Sequence, residues 1–537
     1  MAQTLRIALK QSLAALPILL VWATVLPGLY WAFAPTLNTP VWHTLWHDVQ
    51  WPHALRATLI SSIASTVLAC AIAALLATLH YPGPVWTQLQ KRLPVLLALP
   101  HAAFAVGMFF LIAPSGWLAR ALAPVFSWTS PPQWLTVQDP YGLSLALALA
   151  LKESWFLLWM LMALLGEEGV SRQMVLGRTL GYNRIQIWLW ILWPQLLPRL
   201  GWPVLAVFAY GLSVVDMALI LGPSTPPTLA VLSWRWLTDP DPAQQALGSA
   251  TSLMLMVIFL LGALAACGLW RLVRFLPYPH GQRRPSTRAR WPLLHRSVAG
   301  AGYAVVAVLL LWSVAHSWFF PALWPDAITL DMWKHTDYAP FYTTLWLGLA
   351  ASLLCLPVVL LWLEWGPQRF NAVLYLPLIV PALPLAAGQY AALLQLQLDG
   401  TAIALVWSHL LWVLPYMVLT LSGPYRAFDA RLMTCARTLG TPPWRACWQV
   451  KWPILLRPIL ASVAVGFAVS VSQYLPTLFA GGGRFATVTT EAVALSAGGN
   501  RRMLAVQALL QMALPLAAFG LAALAAYGLG QRRKGLR

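Results

Sequence analysis

Charged side chains are scarce in this 537-residue chain: Asp, Glu, Lys and Arg make up 9% of the residues, and hydrophobic residues make up 60%. Soluble domains carry about 25% charged residues, so no soluble core could enclose this much apolar surface. Acidic residues are the scarcer kind, 15 against 34 basic residues, which gives a net charge of +19. The basic residues lie between apolar runs rather than along a polar domain, so nucleic acid is not predicted as a partner. The composition indicates that a lipid bilayer solvates the chain.

Paired cysteines and nucleotide motifs are also missing. The five cysteines show no paired or metal-type spacing, so neither a disulfide framework nor a metal site is predicted. No GxxxxGK(S/T) motif, whose backbone cradles nucleotide phosphates, occurs anywhere. The chain is therefore not expected to hydrolyse ATP itself, and we predict no catalytic residues and no directly bound cofactor.

The sequence does contain a series of long apolar stretches. A helix needs about 20 mostly apolar residues to cross the hydrocarbon. Pro377, Pro381 and Pro384 lie within one stretch, so that helix is expected to be kinked or broken. We predict an all-α polytopic membrane protein with about twelve transmembrane helices. In chain order the twelve stretches lie near 13–35, 55–79, 93–113, 142–165, 201–222, 247–270, 297–320, 341–363, 372–394, 402–421, 459–479 and 503–529.

Basic residues are distributed unequally between the two sides of these stretches. With a cytoplasmic N-terminus, the inside segments hold 26 Lys and Arg residues and the outside loops hold 7, as the positive-inside rule requires. We therefore expect a multi-pass protein of the bacterial inner membrane with both termini in the cytoplasm. The densest basic segment, 271–296, is interpreted as a cytoplasmic linker that contacts anionic lipid. It separates two homologous six-helix halves, 1–270 and 297–537.

One loop in each half carries an internal repeat. Segments 166–200 and 425–460 align without a gap at an offset of 259 residues. The Arg-Thr-Leu-Gly sequence that ends at Gly181 falls on the one that ends at Gly440, and both segments continue to a Trp-Pro pair. A glycine at this place suits a left-handed C-terminal cap. The repeat therefore predicts two short helices joined at the glycine.

The residues around the glycine predict where these short helices begin and end. Ser171 and Asp429 can each cap the first helix of a loop. Pro442 and Pro443 suit the first turn of a second helix. The Trp-Pro pairs, Trp193-Pro194 and Trp452-Pro453, are expected to end that second helix.

The second short helix carries apolar residues in both copies. Docking onto a two-fold symmetric partner would explain why the element occurs twice at equivalent positions. An amphipathic helix that lies on the lipid surface is the alternative. The apolar residues are Ile185, Trp188 and Leu189 in one copy, and Trp444, Ala446 and Trp448 in the other.

Both loops resemble the EAA loop of binding-protein-dependent ABC transporter permeases. That pattern has an acidic residue and two alanines, then a glycine, then a hydrophobic-x-Leu-Pro ending, and the glycine and the proline match in both halves. Val175 and Thr434 occupy the acidic position, and of the alanines only Ala436 is present. Over its whole length the chain is similar to the fused two-half permeases of the thiamine and ferric-iron type. It lacks the glutamates that make the family's usual salt bridge to the ATPase.

The resemblance implies a type I ABC importer permease fold and two partners. A cytoplasmic ABC ATPase dimer would use ATP, with one subunit on each loop, and a periplasmic solute-binding protein would deliver a small solute. The residues implied in ATPase coupling are Arg178, Gly181, Ile185, Trp188, Pro194, Asp429, Ala436, Arg437, Gly440, Trp444, Trp448 and Pro453.

Ionisable residues within predicted spans are costly and are therefore functional candidates. Lys152 and Glu153 are neighbours in sequence and point about 100° apart on a helix, so each is expected to have its own partner. Packing between helices is the alternative interpretation. The candidate residues of a translocation pathway are Lys152, Glu153, Ser213, Asp216, His409, Ser472 and Gln473.

Two other classes of protein remain as alternatives. A secondary transporter of the major facilitator type also has twelve spans and a basic central loop, but its acidic and arginine-rich turn between spans two and three is replaced here by HYPGPVWTQLQKR. A membrane-embedded enzyme would cluster acids and histidines at one membrane face. The predicted inner loops hold only four acidic residues, Glu167, Glu168, Glu364 and Asp429.

Overall fold

The computed structural model describes residues 2–274 and 294–531. Most of the predicted linker 271–296 and the basic tail from residue 532 lie outside the described residues. Within the described ranges the chain is almost entirely helical, as predicted. The two short strands there, β1 (Ala315–Ser317) and β2 (Ala327–Ile328), pair antiparallel.

The helices of the first half include one 3-10 turn, Ala34–Leu37, and one π-helical segment, Ile187–Leu192. In chain order the α-helices are α1 (Ala2–Trp22), α2 (Val25–Phe33), α3 (Thr39–His47), α4 (Trp51–His80), α5 (Pro84–Leu97), α6 (His101–Ile112), α7 (Trp117–Phe126), α8 (Leu143–Leu165), α9 (Glu168–Thr179), α10 (Arg184–Gln186), α11 (Trp193–Ser213), α12 (Asp216–Leu221), α13 (Leu229–Leu237) and α14 (Pro242–Arg274).

The second half likewise contains a 3-10 turn, Gln368–Phe370, and a π-helical segment, Cys447–Lys451. Its α-helices are α15 (Leu294–Val314), α16 (Asp331–His335), α17 (Ala339–Trp365), α18 (Asn371–Ile379), α19 (Ala382–Gln395), α20 (Ala402–Arg426), α21 (Ala430–Thr438), α22 (Pro443–Ala446), α23 (Trp452–Ile454), α24 (Leu456–Val471), α25 (Leu475–Gly481), α26 (Val488–Ser496) and α27 (Arg501–Gln531).

The number of membrane spans agrees with the prediction. Among the described residues, ten helices are long and apolar enough to cross a membrane, and there are up to twelve if each of two bent pairs is one span. One bent pair is α18 and α19, which meet at 108°. Pro381 precedes the first turn of α19, so the predicted break in the proline-rich stretch is confirmed.

The predicted helix end at the first Trp-Pro pair is wrong. Pro194 lies at the start of α11, and the helical run continues from Arg184 to Ser213. In the second half the run ends at Ile454, one residue beyond Pro453, and the chain bends by 79° between α23 and α24, so the predicted end is confirmed there. A π-helical segment precedes each Trp-Pro pair, and such local adjustments allow proline within a membrane helix.

Two stretches predicted as continuous spans, 201–222 and 459–479, are interrupted. The first breaks at Val214–Val215, between α11 and α12, and the second at 472–474, between α24 and α25. Non-helical backbone at membrane depth is tolerated where it lines a cavity within the protein. These two breaks are related by the same offset as the loops.

The two halves interlock through small residues on their first helices. α2 packs along α19 of the other half, and a Cβ at Gly28 would overlap the backbone carbonyl of Gly388. In the same way α15 packs against α6, where Gly107 faces Val305, while Gly302 faces Trp155 of α8. Small residues let membrane helices approach closely. Each half therefore contributes its first helix to the surface of the other.

Candidate functional site

The first loop element forms the helix–glycine–helix structure that the sequence predicts. α9 ends at a turn in which the N–H of Tyr182 donates to the carbonyl of Gly177 at 3.1 Å. Gly181 has a φ of 82°, the left-handed conformation that favours glycine. Asn183 then caps α10 and forms a capping box with Gln186.

Ser171 does not cap this element, which corrects the prediction. The N-cap of α9 is Glu167, so Ser171 lies inside the helix. Glu167 stands at the start of the helix, where negative charge is favoured by the helix dipole. The helix therefore begins one turn earlier than the serine suggested.

The first loop is held to the rest of its half by an arginine and a buried tryptophan. The guanidinium of Arg184 donates to the carbonyls of Thr78 at 2.6 Å and Tyr81 at 2.5 Å, at the end of α4. The Trp188 side chain is 0% exposed and packs against the rings of Tyr81 and Trp193. Trp188 is among the residues that the resemblance implies in ATPase coupling, and it lies inside the chain. The structure assigns it to anchoring the loop because it shares the inward face of the helical run with Leu192.

The second loop element has the same backbone. The Asp429 side chain accepts from the N–H of Arg431 at 2.9 Å, which confirms the predicted cap of α21. Gly440 has a φ of 84°, and the N–H of Thr441 donates to the carbonyl of Ala436 at 3.1 Å. Pro443 occupies the first turn of α22, as predicted, whereas Pro442 is the N-cap residue in front of it.

The second loop is anchored by polar side chains instead. The Glu364 carboxylate, at the end of α17, accepts from Lys451 Nζ and from the Tyr425 hydroxyl, each at 2.6 Å. Trp452 Nε1 donates to the same hydroxyl at 3.2 Å. The Lys451 and Glu364 side chains are only 13% and 15% exposed. This buried cluster ties the loop to α17 and α20.

Both elements leave apolar side chains exposed, and we call the two sets together the loop surface. Arg178 and Arg437 are exposed beside it, whereas Ala436 is buried beneath it and Pro194 and Pro453 are half-buried. The loop surface consists of Val175, Leu176, Leu180, Ile185 and Leu189 in the first half, and Leu432, Leu439, Trp444, Trp448 and Ile454 in the second. Exposed apolar patches of this kind mark contact surfaces.

A cavity of about 430 Å³ lies between the two halves, and we call it the central cavity. Its lining includes residues at four interruptions of the helices: α5/α6, α11/α12, α18/α19 and α24/α25. Broken helices at the interface of two repeats commonly form the binding sites of transporters. The break positions therefore locate a candidate pathway.

Lys152 and Glu153 both line the central cavity and have separate partners, as predicted. Lys152 Nζ donates to the carbonyls of Leu96 and Leu97 at 3.3 Å each, at the end of α5. Glu153 Oε1 lies 3.0 Å from His101 Nε2. His101 was missed from the sequence because it lies 52 residues away and stands at the start of α6 next to a proline, with no motif around it.

The remaining candidates divide between the central cavity and the protein interior. Ser213, Asp216, Ser472 and Gln473 line the cavity. Ser213 Oγ also accepts from the N–H of Ala382 at 2.9 Å and so joins the two halves. His409 is 0% exposed and bonds to Ser470 and Thr477. It is absent from the cavity lining, and it connects α20 to α24 and α25.

Comparisons with known proteins give a full-length relative. The chain is 43% identical over 538 residues, covering 100% of both chains, to the inner membrane ABC transporter permease protein YnjC of Escherichia coli (strain K12). It is 30% identical over 97 residues to the molybdenum transport system permease protein ModB of Mycobacterium tuberculosis, covering 18% of this chain and 37% of that one. It is 20% identical over 117 residues to the spermidine/putrescine transport system permease protein PotC of Haemophilus influenzae, covering 22% and 46%. No protein-family model matches the chain.

Proposed function

Since the chain belongs to the family of inner membrane ABC transporter permeases, we propose that its two loops dock a separate ATPase dimer and that its central cavity is the solute pathway. The chain is the permease of an ABC importer, a transport subunit rather than an enzyme, and it lies in the inner membrane as a multi-pass protein. The alternative of a major facilitator transporter finds no support among the relatives.

The paired loop surface is the observation that carries the ATPase proposal. The two elements have the same backbone, with the glycines at φ values of 82° and 84°. Each leaves apolar side chains exposed, and Leu439 is 85% exposed. Two like surfaces on one chain suit a partner with two like subunits. ATP is then bound and hydrolysed in that partner.

The central cavity supports a pathway between the halves. A periplasmic binding protein would deliver the solute at the outer face, and closure of the ATPase dimer would move the two loops together. Because the halves meet at the cavity, their relative movement would open it to one side at a time. Glu153 and Asp216 are the ionisable residues of this pathway that we expect to contact the solute.

The orientation follows from the distribution of basic residues. With 26 Lys and Arg residues on the loop side against 7 on the other, the N-terminus, the 271–296 linker and the C-terminal tail are proposed to be cytoplasmic. Reporter fusions that are active only in the cytoplasm test this arrangement. A periplasmic signal at the linker would contradict it.

Leu439→Asp tests the docking proposal directly. A charge in an apolar contact is desolvated without a partner, so we expect the variant to reach the membrane in normal amount and to lose co-purification of the ATPase. Leu330→Asp is the matched control, since Leu330 is 58% exposed, caps α16 and lies outside the loop surface. Normal ATPase binding by Leu439→Asp would contradict the proposal.

A further inference from the structure

The charged groups of the central cavity all come from the first half. His101, Lys152, Glu153 and Asp216 belong to α6, α8 and α12, whereas the lining residues of the second half are uncharged. The cavity therefore has one ionisable wall and one neutral wall. A solute with charge at one end and an uncharged body would match this division.

The ammonium group of Lys152 finds its hydrogen-bond partners within the wall. Its side chain is buried, and Nζ donates to two carbonyls at the C-terminal end of α5, where the helix dipole is negative. The same Nζ lies 5.3 Å from the centre of the Trp155 ring. Because Trp155 and these carbonyls surround it, Lys152 is oriented toward the protein rather than toward a solute.

The carboxylates have fewer partners among the side chains. Asp216 is 6% exposed, and backbone N–H groups at the start of α12 bond to its carboxylate, but among the described residues no side chain donates a hydrogen bond to it. It stands at the first position of α12, next to the backbone break at Val214–Val215. Glu153 places one oxygen against His101, and no described side chain bonds to its other oxygen. A buried carboxylate without a hydrogen-bonded cation is costly, so a cationic ligand would stabilise Asp216, and it could also bind the second oxygen of Glu153.

Aromatic side chains from both halves also line the central cavity. Six of its lining residues are Trp159, Trp202, Tyr210, Trp412, Tyr416 and Tyr474. The faces of such rings attract cations, including quaternary ammonium groups. A volume of about 430 Å³ is within the range of small-molecule sites.

From these features we propose that the central cavity binds an organic cation. Asp216 and Glu153 of the first half hold its positive charge, and the aromatic rings pack against its flat or apolar body. This inference rests on the proposed pathway, and it adds the chemical class of the solute.

The test uses the full chain in detergent and measures equilibrium binding of three probes: benzyltrimethylammonium, tetramethylammonium and benzenesulfonate. We expect benzyltrimethylammonium to bind most tightly, tetramethylammonium more weakly because it lacks the ring, and benzenesulfonate not to compete. Binding of benzenesulfonate as tight as that of benzyltrimethylammonium would overturn the proposal. This comparison needs no variant.

Asp216→Asn keeps the shape of the side chain and removes its charge, and it should weaken benzyltrimethylammonium binding at least tenfold. Glu153→Gln should weaken it as well, and it serves if Asp216→Asn does not fold. Asp326→Asn is the control, because Asp326 is an exposed carboxylate outside the cavity. Unchanged affinity in both cavity variants would overturn the proposal.

ATPase co-purification measured on the same preparations separates the two proposals. A permease that retains the ATPase but binds no cation refutes only the solute class. A permease that binds the cation but never retains the ATPase refutes the docking proposal instead.

Discussion

The two loops share one backbone but are anchored by different chemistry. In the first half, Trp188 is buried against aromatic rings and Arg184 binds backbone carbonyls. At the aligned positions of the second half stand Cys447 and Pro443, which can make neither contact. There Lys451 binds Glu364, while its counterpart in the first half is the buried Leu192. The repeat therefore preserves the glycine turn while the contacts that position it have diverged.

The two loops also differ in the number of buried apolar residues that lie behind them. The residues behind the first loop, including Trp188 and Leu192, belong to the large apolar core that contains α4 and α5. Behind the second loop lies a separate cluster of only four buried residues, Met433, Ala436, Ala446 and Cys447. The first loop should thus depend on apolar packing and the second on the polar cluster around Glu364.

Removal of the buried indole should have the largest effect. Trp188→Ala leaves a cavity in the core, and such a change costs about 3–5 kcal/mol. The indole N–H has no partner among the described residues, so the loss is one of packing. Unfolding in mixed detergent micelles measures it. The matched change Cys447→Ala should cost about 1 kcal/mol, and equal costs in the two halves would contradict the comparison.

Removal of Glu364 should damage the second loop nearly as much. Glu364→Ala leaves the amine of Lys451 buried without its carboxylate, which costs on the order of 3 kcal/mol. We expect reduced ATPase co-purification together with lower stability. The exposed pair Arg199–Glu167, with side chains 54% and 51% exposed, is the control. Glu167→Ala should cost roughly 0–1 kcal/mol, and a loss as large as that of Glu364→Ala would show that burial is not the cause.

Substitution of the turn glycines should have the smallest effect on stability and a clear effect on coupling. Gly181→Val and Gly440→Val place a β-branched residue at positive φ, which is strained by about 1–3 kcal/mol. Both variants should insert normally and lose ATPase association. We expect Gly440→Val to reduce ATPase association more than Gly181→Val does. Fewer buried residues lie behind the second loop, so the strain should displace that loop more easily.

Gly423→Val is the control for these glycines, since Gly423 lies within α20 and a Cβ there meets nothing within 4 Å. ATPase binding and transport by both turn variants at the level of the unaltered protein would mean that the loops do not couple to the ATPase. If Gly181→Val reduced ATPase binding more than Gly440→Val did, the expected ranking of the two loops would be reversed.

The sequence predicts the fold class, the number of spans and the glycine turn of both loops. Each of these depends on interactions within about 20 residues: the hydropathy of a helix, or a glycine after a short helix. That is why the positive φ values at Gly181 and Gly440 and the cap at Asp429 are confirmed. It is also why the break at Pro381 could be predicted, since proline acts on its own helix.

Which side chains of the loops are buried and which are exposed was decided by the tertiary structure. Trp188 and Trp444 both appear as apolar residues of a short helix, yet Trp188 is buried and Trp444 is 56% exposed. The direction in which each points depends on what packs beside the loop, and those neighbours are distant in sequence. His101 became the partner of Glu153 for the same reason, because α6 and α8 meet only in the folded chain.

The sequence by itself thus determined that the chain crosses a membrane about twelve times in two repeated halves, because hydropathy and local backbone preference are properties of short segments. The tertiary structure alone decided that the halves exchange their first helices and that four helix breaks meet around one cavity. Close approaches such as that of Gly28 to Gly388 depend on the shapes of two helices together. Neither segment carries that information alone, and packing between helices distant in sequence likewise placed the charges of Glu153 and Asp216 at one cavity.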